Sequence, residues 1–579
     1  MNNHFLLTVA DGAAAEDDRS SVAASLPGWR RIAIADGVVL HVAPEAHLLV
    51  WKLGAIIGPV FERGAERPLR DLSQAMQSAI ATSSGQSLID QDWGGYVAIL
   101  AVASNAVAMV RAPFGDLPCY WIRHGRFFSA ASDLDLLRLT SPRPTVEAAA
   151  LARYLAQPDY LSDETCLRNI RELRGGERLR VDSGSVPATE PLWSPWTFVR
   201  HAPPAISTRD EAVARVRDSV DISVAARSAG QDRSLLLLSG GIDSSLVAAS
   251  LARAGRDFVC LTLVSGDRIG DERAYAAMVA NACGVPLIVG HRDISGIDLH
   301  HSASAGQPRP AARALLQESS RLAQEAARET GATLVIDGGA GDSVFYGYLA
   351  VAPLVDLWRQ EGLGSTARAY FAAMASLSGT SRLRLAARTL LRSLRPAAAS
   401  RPDDLSFLSP AARAAAADRV QHPWMAPPPG AGPGEASYVA GLPPVQAYME
   451  SAERREHLPS LSPLGSQPII ETCLKIPTWL WFEQWNSRAL ARRAFADRLP
   501  PEIIARRSKG TPAGFMGEVF EARRAQIREM LLHGALADAG LLDRTALALH
   551  LAAEAPLRDF SFVRIMALVD AEAWMRSWV

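Results

Sequence analysis

The residues best suited to chemistry form one short string, Ser239-Gly240-Gly241-Ile242-Asp243-Ser244-Ser245. Two adjacent glycines let a backbone turn tightly and present its N–H groups to a ligand. The hydroxyls of Ser239, Ser244 and Ser245 add donors, and a helix opening at Leu246 favours an anion at its start. Together these make a phosphate cradle. It is not a Walker loop, because no Gly-Lys-Ser/Thr is present and Asp243 stands where the lysine would be. A carboxylate beside a polyphosphate is tolerable only with a divalent cation between them, so Asp243 implies Mg²⁺. A second acidic loop, Asp337-Gly338-Gly339-Ala340-Gly341-Asp342, lies about a hundred residues on, and Asp342 is expected to reach the same metal from the other side. The plain alternatives are a Gly/Ser turn capping a helix for the first loop and an Asx-capped turn for the second.

Both loops need strands to hold them. Ser234–Leu238 runs straight into the first loop and Thr333–Ile336 into the second. Between 206 and 350, apolar runs (234–238, 258–264, 287–289, 333–336) alternate with helical stretches, the mark of parallel βαβ units whose strand ends share a crevice. Residues 1 to about 205 read instead as short strands separated by turns such as Asp92-Trp-Gly-Gly and Pro113-Phe-Gly-Asp, and Pro203-Pro204 marks the junction. We therefore expect two domains, 1–205 and 206–579. The second is helical after about 350 and broken by a Pro/Gly/Ala segment, 423–434, that reads as a linker or, less simply, a lid.

At 579 residues, 48% hydrophobic and 21% charged, the chain is globular and not disordered. A formal charge of -1 gives no reason to expect nucleic acid or a membrane as partner. Five widely spaced cysteines without a CxxC pair argue against a disulfide framework and a zinc site. The start of the chain lacks the basic, apolar pattern of a secretory signal, so a cytoplasmic location is expected. Only Lys52, Lys475 and Lys509 of the 60 basic residues are lysine, so a lysine that remains is expected to be kept for its chemistry, as at Lys509, whereas Lys475, beside Pro477 in an apolar helix, reads as structural.

The string at 239–245, the loop bearing Asp342 and the late Arg507-Ser508-Lys509-Gly510 resemble the ATP-pyrophosphatase domain of the asparagine synthetase superfamily. The resemblance implies a HUP-like parallel α/β domain carrying many added helices. It implies an N-terminal β-rich α+β sandwich similar to a degenerate Ntn glutaminase, on the residues Trp93-Gly-Gly-Tyr, Arg111 to Tyr120 and Ser132-Asp133. ATP and pyrophosphate are then expected against Ser239, Gly240, Gly241, Ile242, Asp243, Ser244, Ser245, Leu263, Gly338 and Gly339. Mg²⁺ is expected on Asp243 and Asp342, with Lys509 stabilising charge during adenylation of a carboxylate. Glutamine-dependent members need cysteine after the initiator methionine; Asn2 stands there, so ammonia release from glutamine is not expected. Members acting on small substrates usually carry Glu, Asp or Tyr three residues before the metal aspartate, where this chain has Gly339.

Within the superfamily as a whole, the stretch from Ser466 through Leu480 and Arg488 to Lys509, with His422-Pro-Trp-Met, is most similar to the lasso-peptide cyclases. That resemblance implies an isopeptide-forming macrocyclase acting on a precursor peptide, with a leader peptidase and a leader-recognition protein as partners. A small-molecule amide ligase, either an ammonia-dependent asparagine synthetase or a β-lactam synthetase, and a non-catalytic peptide-binding scaffold are the other readings. Retention of Asp243, Asp342 and Lys509 together disfavours the scaffold.

Overall fold

The computed structural model describes residues 3–9, 22–104, 106–125, 127–182, 185–199, 206, 208–266, 271–310, 315–347, 350–377, 379–399, 402–418, 421–450, 458–483, 487–507, 513–552 and 560–578. The N-terminal part is a sandwich of two six-stranded antiparallel sheets. One contains Phe5–Val9 between Val38–Val42 and Phe127–Ala131; the other is centred on Val97–Ala103 and Ala106–Arg111. Alternation along these strands decides which side chains meet. Leu7, Leu40, Ile57, Ile99, Met109, Phe128 and Leu179 fill the space between the sheets.

The second half is built on five parallel strands: β1 (Ser234–Leu237), β2 (Phe258–Val264), β3 (Leu287–His291), β4 (Leu334–Ile336) and β5 (Ser460–Leu461), in spatial order β3-β2-β1-β4-β5. Strands laid down outward from β1 on one side and from β4 on the other leave a crevice at the carboxyl ends of β1 and β4. The sequence places its two acidic loops at those ends. The helices used below are α1 (Arg209–Arg227), α2 (Ile242–Arg253), α3 (Arg273–Cys283), α4 (Ala352–Glu361), α5 (Ser365–Leu377), α6 (Arg382–Leu394), α7 (Pro433–Val439), α8 (Pro443–Met449), α9 (Ala489–Ala494), α10 (Pro501–Ala505) and α11 (Ser561–Arg576).

The outer faces of the sandwich are covered by the rest of the chain. Ile56, Ala98 and Val110 join one core with residues of β1, α2 and α8, while Leu6, Ile122 and Leu151 join another with Ile565, Val569 and Trp574 of α11. The last helix thus shares a core with the first strand. The expected junction at 205/206 falls among residues 200–205 and 207, which lie outside those described. The segment 423–434 is neither a solvated linker nor an open lid. His422 accepts a hydrogen bond from the Trp424 backbone, and Trp424 is buried against Phe114 and Trp193 of the sandwich. Among the described residues no helix is long and apolar enough to cross a membrane, and all five cysteines are free thiols.

Candidate functional site

The crevice begins with the turn after β1. Gly240 sits at φ +66°, and a Cβ there would lie 2.5 Å from Tyr275 Cβ and 2.7 Å from the Ala276 nitrogen on α3, so only glycine lets the loop pass. Gly241 then caps α2 in an extended conformation. Ser239 Oγ accepts from the Gly241 N–H (3.2 Å) and lies 3.3 Å from Ser244 Oγ, which fixes the loop's curvature. Ser245 turns away and donates to the Gly241 carbonyl at 2.8 Å.

The turn after β4 packs directly on the first. A Cβ at Gly338 would stand 2.5 Å from the Ser244 nitrogen, and one at Gly341 would stand 2.6 Å from Asp243 Cγ. Ala340 holds a left-handed φ of +70° immediately before the helical turn that presents Asp342. Such a backbone costs about 1–3 kcal/mol for a residue other than glycine, so the packing around it must hold that conformation.

Asp243 and Asp342 meet on one atom. Nη1 of Arg488 donates to Asp243 Oδ2 and to Asp342 Oδ1, each at 2.6 Å. Arg488 is itself left-handed, φ +58°, at the start of α9. Arg492, Arg506 and Arg507 line the same cavity, a space of about 250 Å³. Burial, and the neighbouring charge of Arg488, pull Arg492 down to about 10. Arg492 donates to the Ile503 and Ile504 carbonyls, which ties α9 to α10. Arg506 bonds to Glu272 and lies 4.0 Å over the Tyr275 ring, which anchors the start of α3 beside the loop.

Behind Gly339 on the cavity wall stands Tyr448, from the end of α8. Its hydroxyl donates to Asp337 Oδ2 at 3.0 Å, and Asp337 also accepts from the Gly339 N–H (2.7 Å) and from Ser462. The Tyr448 ring occupies the place a side chain at 339 would take: a Cβ there would be 2.1 Å from Cε1. Gly339 is therefore not an empty position but one filled from a distant element.

Of the residues expected from sequence, Ser239, Gly241, Ile242, Asp243, Ser244, Gly338, Gly339 and Asp342 line the cavity. Gly240 and Ser245 shape the loop without lining it, and Leu263 lies off the cavity, packed where a Cβ on Gly290 would stand. Lys509 lies outside the described residues. Lys475 stacks 5.5 Å over Phe198, a packing role. In the sequence Arg488 and Arg507 stand inside the motif stretches with no role of their own, and nothing there marks Arg506 or Tyr448. In a chain that uses arginine for nearly every cation, the scarcity of lysine drew attention away from the arginines of the site. A second cavity of about 270 Å³, lined by Tyr154, Cys166, Arg309 and His422, contains none of the expected residues.

The donor set fits a magnesium-triphosphate. Two carboxylate oxygens converge on one point, and a magnesium ion, binding oxygen at about 2.0–2.1 Å, would draw each in by roughly half an ångström. The glycine-lined walls leave no room for a Cβ, and two buried guanidinium donors, Arg488 Nε and Arg506 Nε, have no hydrogen-bond partner among the described residues. Buried donors of this kind call for acceptors that a phosphate supplies. Among the described residues no three His, Cys, Asp or Glu side chains form a metal cluster, so the remaining ligands of such an ion would come from the nucleotide and water.

The family model described as asparagine synthase matches residues 215–576. The GMP synthase [glutamine-hydrolyzing] of Aeromonas salmonicida is 26% identical over 289 residues, 48% of this chain and 49% of that protein. The carboxyethyl-arginine beta-lactam-synthase of Streptomyces clavuligerus is 37% identical over 158 residues, 26% of this chain and 29% of that protein. The chain thus spans about half the length of the first relative and less of the second. A glutamine phosphoribosylpyrophosphate amidotransferase structure from B. subtilis covers 58% of this chain at 11% identity and a TM-score of 0.22, a likeness that carries no argument.

Proposed function

Since the chain belongs to the asparagine synthase family, we propose that it is an ATP-dependent carbon–nitrogen ligase and, within that class, a lasso-peptide cyclase. The observation that carries the ligase reading is the meeting of Asp243 and Asp342 on a single point in a glycine-walled, arginine-lined cavity at the carboxyl ends of β1 and β4. In the proposed reaction an Asp or Glu side-chain carboxylate of a precursor peptide attacks the α-phosphorus of ATP and pyrophosphate leaves. The peptide's N-terminal amine then attacks the acyl carbon, forming the isopeptide bond and releasing AMP.

Asp243 and Asp342 would hold the magnesium, which when bound neutralises charge on the phosphate oxygens. The N-terminal N–H groups of α2, with Arg506 and Arg507, would receive the pyrophosphate. Arg488 must release the two carboxylates, and its guanidinium is then free to pair with a phosphate oxygen. We assign Lys509 to charge stabilisation at the acyl adenylate, a role whose loss costs about 10²–10³ in rate. An α-amino group with a pKa of about 7.7–8.0 is partly neutral at physiological pH, so positioning, more than a strong base, carries the second step.

The peptide-directed part of the reading rests on the motif from Ser466 to Lys509. The identity with the beta-lactam-synthase favours a second reading, a small-molecule amide ligase. Incubation with ATP, Mg²⁺ and candidate precursor peptides, scored for AMP and for a product lighter by one water, separates them. Peptide-dependent AMP with loss of water is expected. AMP formed with free aspartate or carboxyethyl-arginine but with no peptide gives the second reading, and no AMP or pyrophosphate exchange with any carboxylate removes both. A leader peptidase and a leader-recognition protein would supply the peptide.

A further inference from the structure

The formal charge of -1 conceals a segment of one sign. From 362 to 402 the chain has seven arginines and no aspartate or glutamate. Most of these arginines belong to or adjoin α6, Arg382–Leu394, which also carries exposed leucine. Leu383 is 86% exposed, Leu390 52% and Leu394 74%. At 100° per residue these three lie within a stripe roughly 40° wide. The residues by which α6 is held to the molecule, Leu385 and Thr389, are buried and lie on the opposite side of the helix. The leucine stripe therefore faces away from the core. Arg384, Arg388 and Arg395 run along one flank and Arg382 along the other.

The patch extends past α6. Arg359 donates to the Ser393 carbonyl at 2.8 Å, which tethers the end of α4, and the turn bearing the exposed Leu363, to the end of α6. Among the described residues no other stretch exposes as many large apolar side chains. Single exposed leucines need no explanation, but an outward row of them beside a wholly basic flank does.

We propose that α6 docks the enzyme on an anionic lipid surface, lying in the interface with Leu383, Leu390 and Leu394 inserted and the arginines on the headgroup phosphates. A uniformly basic flank suits a uniformly negative plane. A folded protein partner held in one register would be matched by charges of both signs, and this segment has none of the second sign. Arginine side chains are long enough to keep their charge at the headgroups while the leucines go below.

The test is sedimentation of the full chain with vesicles of phosphatidylcholine, with and without phosphatidylglycerol. Binding is expected only to the vesicles containing phosphatidylglycerol, and it should weaken as salt is raised. R384E/R388E should lower the partition by about thirty-fold or more, and L383S/L390S/L394S should abolish it, with the melting curves of both variants unchanged because all five positions are exposed. Equal binding to neutral and anionic vesicles, absence of binding to both, or undiminished binding of either variant overturns the proposal. A concentration-dependent dimer that the leucine variant abolishes, without vesicle binding, assigns the stripe to a second copy of this chain instead.

Discussion

At the scale of single residues, Arg488 stands where a cation is needed and competes with the one the site is suited to bind. Two opposite effects follow from removing it. In Arg488→Met, magnesium should bind the nucleotide-free protein more tightly, because no guanidinium has to leave Asp243 and Asp342. Carboxylate-dependent ATP–pyrophosphate exchange should nevertheless fall by about 10²–10³, the scale of one lost charge-stabilising donor. Calorimetric titration of Mg²⁺ and an isotope-exchange assay read the two separately; weaker metal binding in the variant would mean that the arginine supports the ion's site and does not block it. Tyr448 admits a cleaner test, because a side chain at 339 would displace the tyrosine ring from where it stands. Gly339→Ala should cost about 1–3 kcal/mol by overpacking, and adding Tyr448→Ala should return part of that loss instead of adding to it, as measured by chemical denaturation. Neither residue was legible from sequence for the same physical reason. Arg488 is one arginine in an arginine-rich stretch, and Tyr448 reaches Asp337 across 111 positions of chain, so no local spacing marks either. Asp243 and the glycines were legible because strand, turn and helix follow one another directly at that point.

At the scale of elements, the alternation of apolar strands and helices was readable, and β1, β2, β3 and β4 fall where the apolar runs placed them. β5 was not, because it is two residues long and pairs with β4 from more than a hundred positions away. Nor was the contact that seats α7. Asp356 on α4 accepts from the Gly434 and Glu435 N–H groups at 3.1 and 2.9 Å and from the Thr478 hydroxyl, capping α7 from another helix. Burial, with the charge of Glu435 beside it, pushes the Asp356 carboxyl up to about 7 from an ordinary 3.8. A carboxyl whose folded pKa is raised binds its proton better in the folded state. Its contribution to stability is complete below the unfolded value and is lost as pH rises through the folded one. The native protein should therefore lose stability between about pH 4 and 7 relative to Asp356→Asn, whose amide oxygen still accepts and whose charge never appears. Melting temperatures of the two proteins across that range check this; parallel curves would show that Asp356 does not titrate there.

At the scale of the whole molecule, the N-terminal sandwich is better described as an integral part of the structure than as a detachable domain. Its outer faces share cores with α8 and α11, and its contact with the second half is polar as well as apolar. Arg111 of the sandwich lies 2.9 Å from both Glu172 and Glu450, and Arg309 pairs with the other oxygen of Glu172. All four side chains are buried. Burial drives Glu450 well above the ordinary carboxylate value, with Glu172 adding to the rise; at Glu172 burial pushes the same way, but Arg309 and Arg111 outweigh it and hold that group low. Burial therefore favours the protonated form at Glu450, while the two arginines favour the ionised form at Glu172. Removing the Glu450 carboxyl leaves the buried Arg111 Nη2 without the acceptor 2.9 Å away, and a buried donor left without its acceptor costs about 1–3 kcal/mol. Glu450→Ala should destabilise the protein by that order, whereas Glu450→Gln, which mimics the protonated acid, should cost far less. Residues 206–579 expressed alone should aggregate, since they would expose the faces of α8 and α11 and leave Arg309 and Glu450 unanswered. Co-expression with residues 1–205 as a separate chain should restore solubility. If the second half proved soluble and monomeric without its partner, the shared cores and the four buried side chains would not be what joins the two halves.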